Sequence, residues 1–203
     1  MPDVYMIAGP NGAGKTTAAK AMLRDFLQTN EFVNADEIAK GISPFNADEA
    51  AVDAGKVMLS RISSLISKRK NFAFESTAAG KGHAQSIQRA QKVGYRATLI
   101  FLWLPSADLA VDRVAIRVAQ GGHNIPEQDI RRRFGRGLVN LVDLYLPLVD
   151  RALIIDARYP LEILQDKQGI GIKVLARKDE SKVYFNDKMW PSVLSLVEAA
   201  RKE

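Results

Sequence analysis

One stretch near the start of the chain limits what it can fold into: Met6-Ile7-Ala8-Gly9-Pro10-Asn11-Gly12-Ala13-Gly14-Lys15-Thr16-Thr17. Gly9, Gly14, Lys15 and Thr16 fill the positions of a G-x-x-x-x-G-K-[ST] loop. Val4 to Ile7 ahead of it is apolar and β-prone, and Thr17 to Gln28 behind it is rich in Ala, Leu, Met and Lys and reads as helix. The loop thus sits between a strand and a helix, the setting that a phosphate-binding loop requires. Glycines let backbone N–H groups curl around phosphate oxygens with no Cβ in the way. The N-terminus of the following helix adds its dipole and free N–H groups. In such a loop the lysine reaches the β- and γ-phosphates and the threonine hydroxyl ligates Mg2+, roles that fall on Lys15 and Thr16. Residues Gly9, Pro10, Asn11, Gly12, Ala13, Gly14, Lys15, Thr16 and Thr17 are therefore the expected site for ATP or GTP.

Downstream, strand-like runs alternate with helical patterns. Phe32-Val33-Asn34 reads as a short strand, and Ala47 to Arg69 as a long helix with Val52, Val57, Met58, Ile62, Leu65 and Ile66 at helical spacing. Phe72 to Glu75 is a strand, and Gly82 to Val93 a helix closed by Gly94. Arg96 to Leu104 is the strongest buried strand, stopped by Pro105, and Ser106 is the expected N-cap of a helix to Gln120. Pro126 to Leu146 reads as helix and Ala152 to Asp156 as strand. Such alternation predicts an α/β fold of the P-loop NTPase type, a mostly parallel sheet with helices on both faces. The tail reads differently, with short strands at Leu161 to Gln165, Ile172 to Leu175 and Val183 to Phe185 around Gly169 and Gly171, then a helix from about Pro191 to Arg201. No linker separates it, so residues 1–203 are read as one domain, with 158–203 its C-terminal strands and helix.

Composition narrows the setting. The chain has no cysteine, which excludes disulfides and thiolate metal sites and is compatible with a cytoplasmic location, the one expected. The opening residues run straight into a strand, so no leader is expected, and Ala97 to Leu104 is too short to span a membrane. A net charge of +6 suits anionic ligands, and much of it lies in one arginine cluster.

Ligands of open parallel sheets bind at the carboxyl ends of the strands. Asp36, in Asn34-Ala35-Asp36-Glu37, is placed to accept a proton from a substrate hydroxyl or to cap a helix starting near Glu37. Glu75, in Glu75-Ser76-Thr77, could hold a Mg2+ shell or a substrate hydroxyl, or belong to a capping box. Arg131, Arg132, Arg133 and Arg136 form the basic cluster, and Arg113 and Arg117 share a face of the preceding helix. Joined by Gly121-Gly122, these helices read as an arginine-bearing lid over residues 113–137, whose guanidinium groups would neutralise a transferring phosphoryl group. The same arginines could instead contact RNA, but Phe134 is the lone aromatic among them, so nucleic acid is not the expected partner. His83, His123 and Asp156 are read as surface, capping or structural residues. Asp108 follows the strongest strand only after Pro105-Ser106-Ala107, a poor Walker B, which argues for a small kinase over an ATPase motor.

The P-loop, Asn34-Ala35-Asp36-Glu37, Phe72-Ala73-Phe74-Glu75-Ser76-Thr77 and Gly121-Gly122-His123-Asn124-Ile125-Pro126, in this order, resemble the zeta-toxin-like P-loop kinases over roughly residues 3–157. The resemblance implies phosphoryl transfer to UDP-N-acetylglucosamine and a cognate antitoxin as partner. It implies that Asp36 is the catalytic base, that Glu75 and Thr77 contact the acceptor, and that Arg117 is a lid arginine. Arg133 is taken as the second catalytic arginine, with Arg132 on the acceptor. Two departures stand out. Ala79 and the Gly121 to His123 turn fall where the family carries arginines, which keeps open a kinase with another small acceptor.

Overall fold

Six parallel-sheet residues, Asp3–Ala8 (β1), carry the chain into the glycine loop, and all but Tyr5 are buried. The computed structural model describes residues 1–22, 27, 29–46, 49–158 and 174–202. Helix α1 (Lys15–Met22) follows the loop, then β2 (Phe32–Val33), α2 (Ala35–Ile42), α3 (Ala51–Ser67), β3 (Phe72–Ser76) and α4 (Gly82–Lys92). Next come β4 (Arg96–Trp103), α5 (Ala107–Ala119) and α6 (Glu127–Asn140). Helix α6 widens into a π-turn at Leu141–Tyr145 and ends in the short α7 (Leu146–Leu148). The chain closes with β5 (Arg151–Asp156), β6 (Val174–Asp179), β7 (Lys182–Phe185) and α8 (Trp190–Ala200).

The strands form one sheet in the order β2-β3-β1-β4-β5-β6-β7. Pairing is parallel from β2 through β5 and antiparallel from β5 to β7. The parallel strands are sealed on both faces, which is why β3 and β4 read as near-continuous apolar runs. Phe72, Phe74, Leu99, Phe101, Leu102, Met6 and Ile7 make the centre of the core. Ser106 caps α5 as read, its Oγ accepting from the Leu109 N–H at 3.1 Å, and Gly94 closes α4 at φ +83°.

The antiparallel hairpin β6–β7 is a difference from the parallel pattern of the rest. Its first strand must run back along β5, and short runs of alternating residues do not announce direction. The expected strand at Leu161 to Gln165, the glycines 169 and 171, the residue Ile172, residues 23–26 and 28 of the helix expected to Gln28, and residues 47 and 48 of the helix expected from Ala47 lie outside the described residues. Among the described residues, no helix is long and apolar enough to cross a membrane.

Register brings the site together. Ile7 pairs with Glu75, so the end of β3 stands beside the start of the glycine loop. Val33 pairs with Phe74, so Asn34, one residue on, stands beside Glu75.

Candidate active site

The loop has the shape that phosphate binding needs. Gly9 sits at φ +144° with the backbone of Leu102 packed where a Cβ would be, so no other residue fits there. Gly14, at φ +82°, faces open space at the start of α1. Lys15 is 7% exposed, and its Nζ donates to the Pro10 carbonyl at 3.0 Å, folding the side chain back over the loop. A concave loop of backbone N–H groups, a lysine over it and an open helix N-terminus fit the phosphates of a nucleotide.

Glu75 meets this loop from β3. Its Oε2 accepts from the Thr16 hydroxyl at 2.8 Å and from Asn34 Nδ2 at 2.8 Å, and its Oε1 lies 3.8 Å from Lys15 Nζ. Burial pushes Glu75 above the usual carboxylate range, with Lys15 and the Thr16 hydrogen bond pulling it part of the way back. Burial likewise lowers Lys15, against the attraction of Glu75 and Asp36. For both partners desolvation outweighs pairing, so each charge is held at a cost that further ligand charges would change.

Asp36 is not the helix cap. The cap is Asn34, whose Oδ1 accepts from the N–H groups of Asp36 at 2.8 Å and Glu37 at 3.3 Å. Helix α2 begins two residues earlier than expected, and Asp36, in its first turn, lines a cavity of about 200 Å3. Asn34 therefore does two things at once: its oxygen starts α2 and its amide nitrogen holds Glu75.

The capping-box reading of Glu75-Ser76-Thr77 also gives way. Helix α4 begins only at Gly82, and Ser76 Oγ and Thr77 Oγ1 instead accept from the N–H groups of Ala78 and Ala79, two residues on. That loop is clasped by α6 and its π-turn. Asn140 Nδ2 donates to the Ala78 and Ala79 carbonyls at 2.8 and 3.1 Å, and the Tyr145 hydroxyl donates to Gly80. Gly137 lies so near the Thr77 carbonyl that a Cβ would come within 2.7 Å of it. Burial pushes the Tyr145 phenol up to about 12.

The cavity gathers Asn11 and Lys15 from the loop, Asp36 from α2, Glu75 and Thr77 from the end of β3, His83 from α4 and Arg133 from α6. The reading of His83 as a surface or capping residue is thereby corrected: its ring lies 5.1 Å from that of Phe74, and burial lowers its pKa, favouring the neutral imidazole. Helical periodicity could have found it, since His83 lies one turn before Ile87 on the buried face of α4. Of the four clustered arginines, Arg133 is the one lining the cavity among the described residues. Arg132 is placed elsewhere, on the surface with Asp129 at 2.6 Å, and Arg131 bonds to Asp108 and Glu127. Arg117 donates to the His123 carbonyl at 2.7 Å, so its side chain folds onto the Gly122–His123 turn. Arg113 donates to the carbonyls of Ala157 and Arg158. Asp156, read as structural, is buried and pairs with Arg158 at 2.6 Å.

The family model for the zeta toxin matches residues 1–188. The chain belongs to the zeta toxin family. By family and by fold it is a P-loop kinase. An uncharacterized protein of Haemophilus influenzae is 30% identical over 128 residues, which is 62% of this chain and 88% of that one. Among solved structures, the complex of AvrRxo1-ORF1 with AvrRxo1-ORF2 matches at TM-score 0.74 and 14% identity over 97% of this chain, which spans 64% of that one. The PezAT toxin–antitoxin system of Streptococcus pneumoniae matches at TM-score 0.62 and 15% identity, covering 100% of this chain and 88% of that one. A gluconokinase from Sinorhizobium meliloti matches at TM-score 0.53 and 12% identity, covering 99% of this chain and 94% of that one. At such identities the solved structures speak for the fold.

Proposed function

We propose that this chain transfers the γ-phosphoryl group of ATP, or of GTP, to a hydroxyl of a small metabolite, with UDP-N-acetylglucosamine as the first candidate. The observation that carries this reading is that Lys15, Asp36 and Arg133 line one cavity while Glu75 is bonded to Thr16 at its edge. Residues Gly9 to Thr17 would hold the nucleotide phosphates. Thr16, with Glu75 behind it, would hold Mg2+, which when bound neutralises phosphate charge.

Asp36 accepts the proton of the acceptor hydroxyl as its oxygen bonds to the γ-phosphorus, and the bond from that phosphorus to the bridging oxygen breaks, leaving the nucleoside diphosphate. Lys15 and Arg133 hold the charge on the transferring group, and Arg117 acts from the lid turn. Thr77 faces the acceptor from a loop that α6 keeps in place.

A second acceptor class has an observation of its own. Ala79 supplies no cation, and its carbonyl is already engaged by Asn140. A cavity of about 200 Å3 suits a single sugar ring, so the nucleotide half of a sugar nucleotide would lie outside it. A kinase for a smaller polyol fits the same site. As in the toxin–antitoxin system it resembles, a cognate antitoxin is the proposed protein partner.

The test is phosphate transfer from ATP·Mg2+ to UDP-N-acetylglucosamine, read by mass spectrometry beside Asp36→Asn. A phosphorylated sugar nucleotide that is lost in the variant supports the full reading. ATP binding without product removes this acceptor and leaves the smaller one.

A further inference from the structure

Two residues that line the cavity each carry a buried polar atom with no hydrogen-bond partner among the described residues: Asn11 Oδ1 and His83 Nδ1. Both residues line the same space, Asn11 from the P-loop and His83 from α4. Asn11 is 6% exposed, so water does not compensate it from bulk. A buried polar atom without a partner costs free energy that native proteins rarely tolerate without a reason. Two such atoms, carried by residues on different walls of a cavity beside the P-loop lysine, point to groups that a ligand brings.

We infer that His83 and Asn11 are the specificity-determining residues of the acceptor site, each taking a hydroxyl of the acceptor other than the one that is phosphorylated. The inference rests on the phosphoryl-transfer reading above. The chemistry of the two atoms selects the hydroxyl. An amide oxygen only accepts, so Asn11 Oδ1 needs a donor and is not satisfied by a carboxylate. A neutral imidazole nitrogen is a donor or an acceptor according to tautomer, and a hydroxyl serves either. Burial, with no charged neighbour as a cause, keeps His83 on the neutral side. The Phe74 ring packs against the imidazole, with the two planes 39° apart. An acceptor carrying several uncharged hydroxyls fits both walls, and a hydroxy acid with a single hydroxyl fits neither beyond the reacting oxygen.

The chain has two histidines, so imidazole nitrogen resonances of the whole protein with ADP·Mg2+ are readily assigned by comparison with His83→Phe. The probes are UDP-N-acetylglucosamine, N-acetylglucosamine, gluconate and lactate, each run also as an acceptor with ATP. A shift of the His83 resonance with a polyhydroxylated probe and not with lactate is the expected result. For any probe that is phosphorylated, His83→Phe should raise acceptor KM roughly tenfold with the ATP KM and kcat changed far less, and Asn11→Ala, at a residue that also lies in the phosphate loop, should raise acceptor KM as well. His83→Gln, which keeps a polar atom, should recover part of the loss. No shift with any of the three polyhydroxylated probes overturns the inference, as does an unchanged acceptor KM in both variants. Failure of every probe to be phosphorylated would count against the acceptors chosen, and the resonance shift would still decide the roles of His83 and Asn11.

Discussion

Thr16 donates its hydroxyl hydrogen to Glu75 Oε2 at 2.8 Å, across 59 residues of sequence. The bond joins the two halves of the site: the loop after β1 and the end of β3. It leaves the Thr16 oxygen with its lone pairs for a cation, and puts a carboxylate directly behind that oxygen. Asp108, the acidic residue that follows the strongest strand, is exposed and bonded to Arg131 instead. Glu75 is thus the carboxylate bonded to the P-loop threonine, on the strand across β1 from β4, where a Walker B acid would be sought.

Glu75→Gln should keep nucleotide binding and lower kcat by about 100-fold or more, because the amide cannot supply the charge behind Thr16. Stability offers an independent check. Burial holds Glu75 above the ordinary carboxylate value of 4.5, so the folded protein binds a proton there more tightly than the unfolded chain. Stability from this group is therefore present at low pH and is lost as pH rises from 4.5 through the raised value. Lys15, lowered from 10.5, has the opposite sign: stability rises with pH between its lowered value and 10.5. Thermal unfolding against pH should show the acidic-side slope in the wild type and not in Glu75→Gln.

Asp36 and Asn34 should separate cleanly. Asp36 contributes its backbone N–H to the Asn34 cap, so Asp36→Asn keeps the helix start and should leave the melting temperature nearly unchanged. Loss of a general base lowers kcat about 100- to 10,000-fold. Asn34→Ala removes the cap, costing about 1 kcal/mol, and also frees Glu75. That variant should lose stability and activity together. A melting curve and a turnover assay on both variants decide the division, and equal destabilisation by the two would refute it.

The loop, its lysine and the parallel sheet were legible because their chemistry is contiguous in sequence. Asp36 and Glu75 could be located as strand-end acids, since β-prone runs ended just before each. Their partners were not legible, for Asn34 and Glu75 meet through the register of β2 on β3, and Thr16 and Glu75 through that of β1 on β3. The arginine run shows the limit most plainly. Arg131, Arg132 and Arg133 are adjacent in sequence, yet a helix turns each about 100° from the next, and one of the three lines the cavity. His83 reads in sequence as a surface or capping residue because a lone histidine near a helix start has no motif to mark it. For the hairpin, the sequence marks strand at Ile172 to Leu175 and Val183 to Phe185, which meets β6 at Val174 and Leu175 alone and β7 from Val183, and it gives no direction.

Gly137→Ala should act on the acceptor from a distance. The added methyl would meet the Thr77 carbonyl at 2.7 Å, and the clash is with backbone, which α6 and the Thr77 loop cannot both relieve. A destabilisation of about 1–3 kcal/mol is expected, as for overpacking in general. Because the displaced residue is Thr77, acceptor KM should rise while ATP KM holds. Denaturant unfolding and a two-substrate kinetic matrix read the two effects separately.

Arg132 and Arg133 give the sharpest contrast, being neighbours in sequence with the same side chain. Arg132 is on the surface, paired with Asp129 three residues back, and such exposed pairs contribute between nothing and about 1 kcal/mol. Arg132→Ala should therefore leave kcat within about twofold and the melting point nearly unmoved. Arg133 shares the cavity with Lys15 and Asp36 and, among the described residues, is held back by a long 3.9 Å contact with Asp129. Arg133→Ala should lower kcat about 1,000-fold, the scale on which an arginine at a transferring phosphoryl group acts. Arg133→Lys should recover little, since a lysine cannot reproduce the planar fork of donors. Equal kcat losses at the two positions would place the charge-stabilising arginine elsewhere, with Arg117, near the end of α5 and folded onto the Gly122–His123 turn, the next to replace.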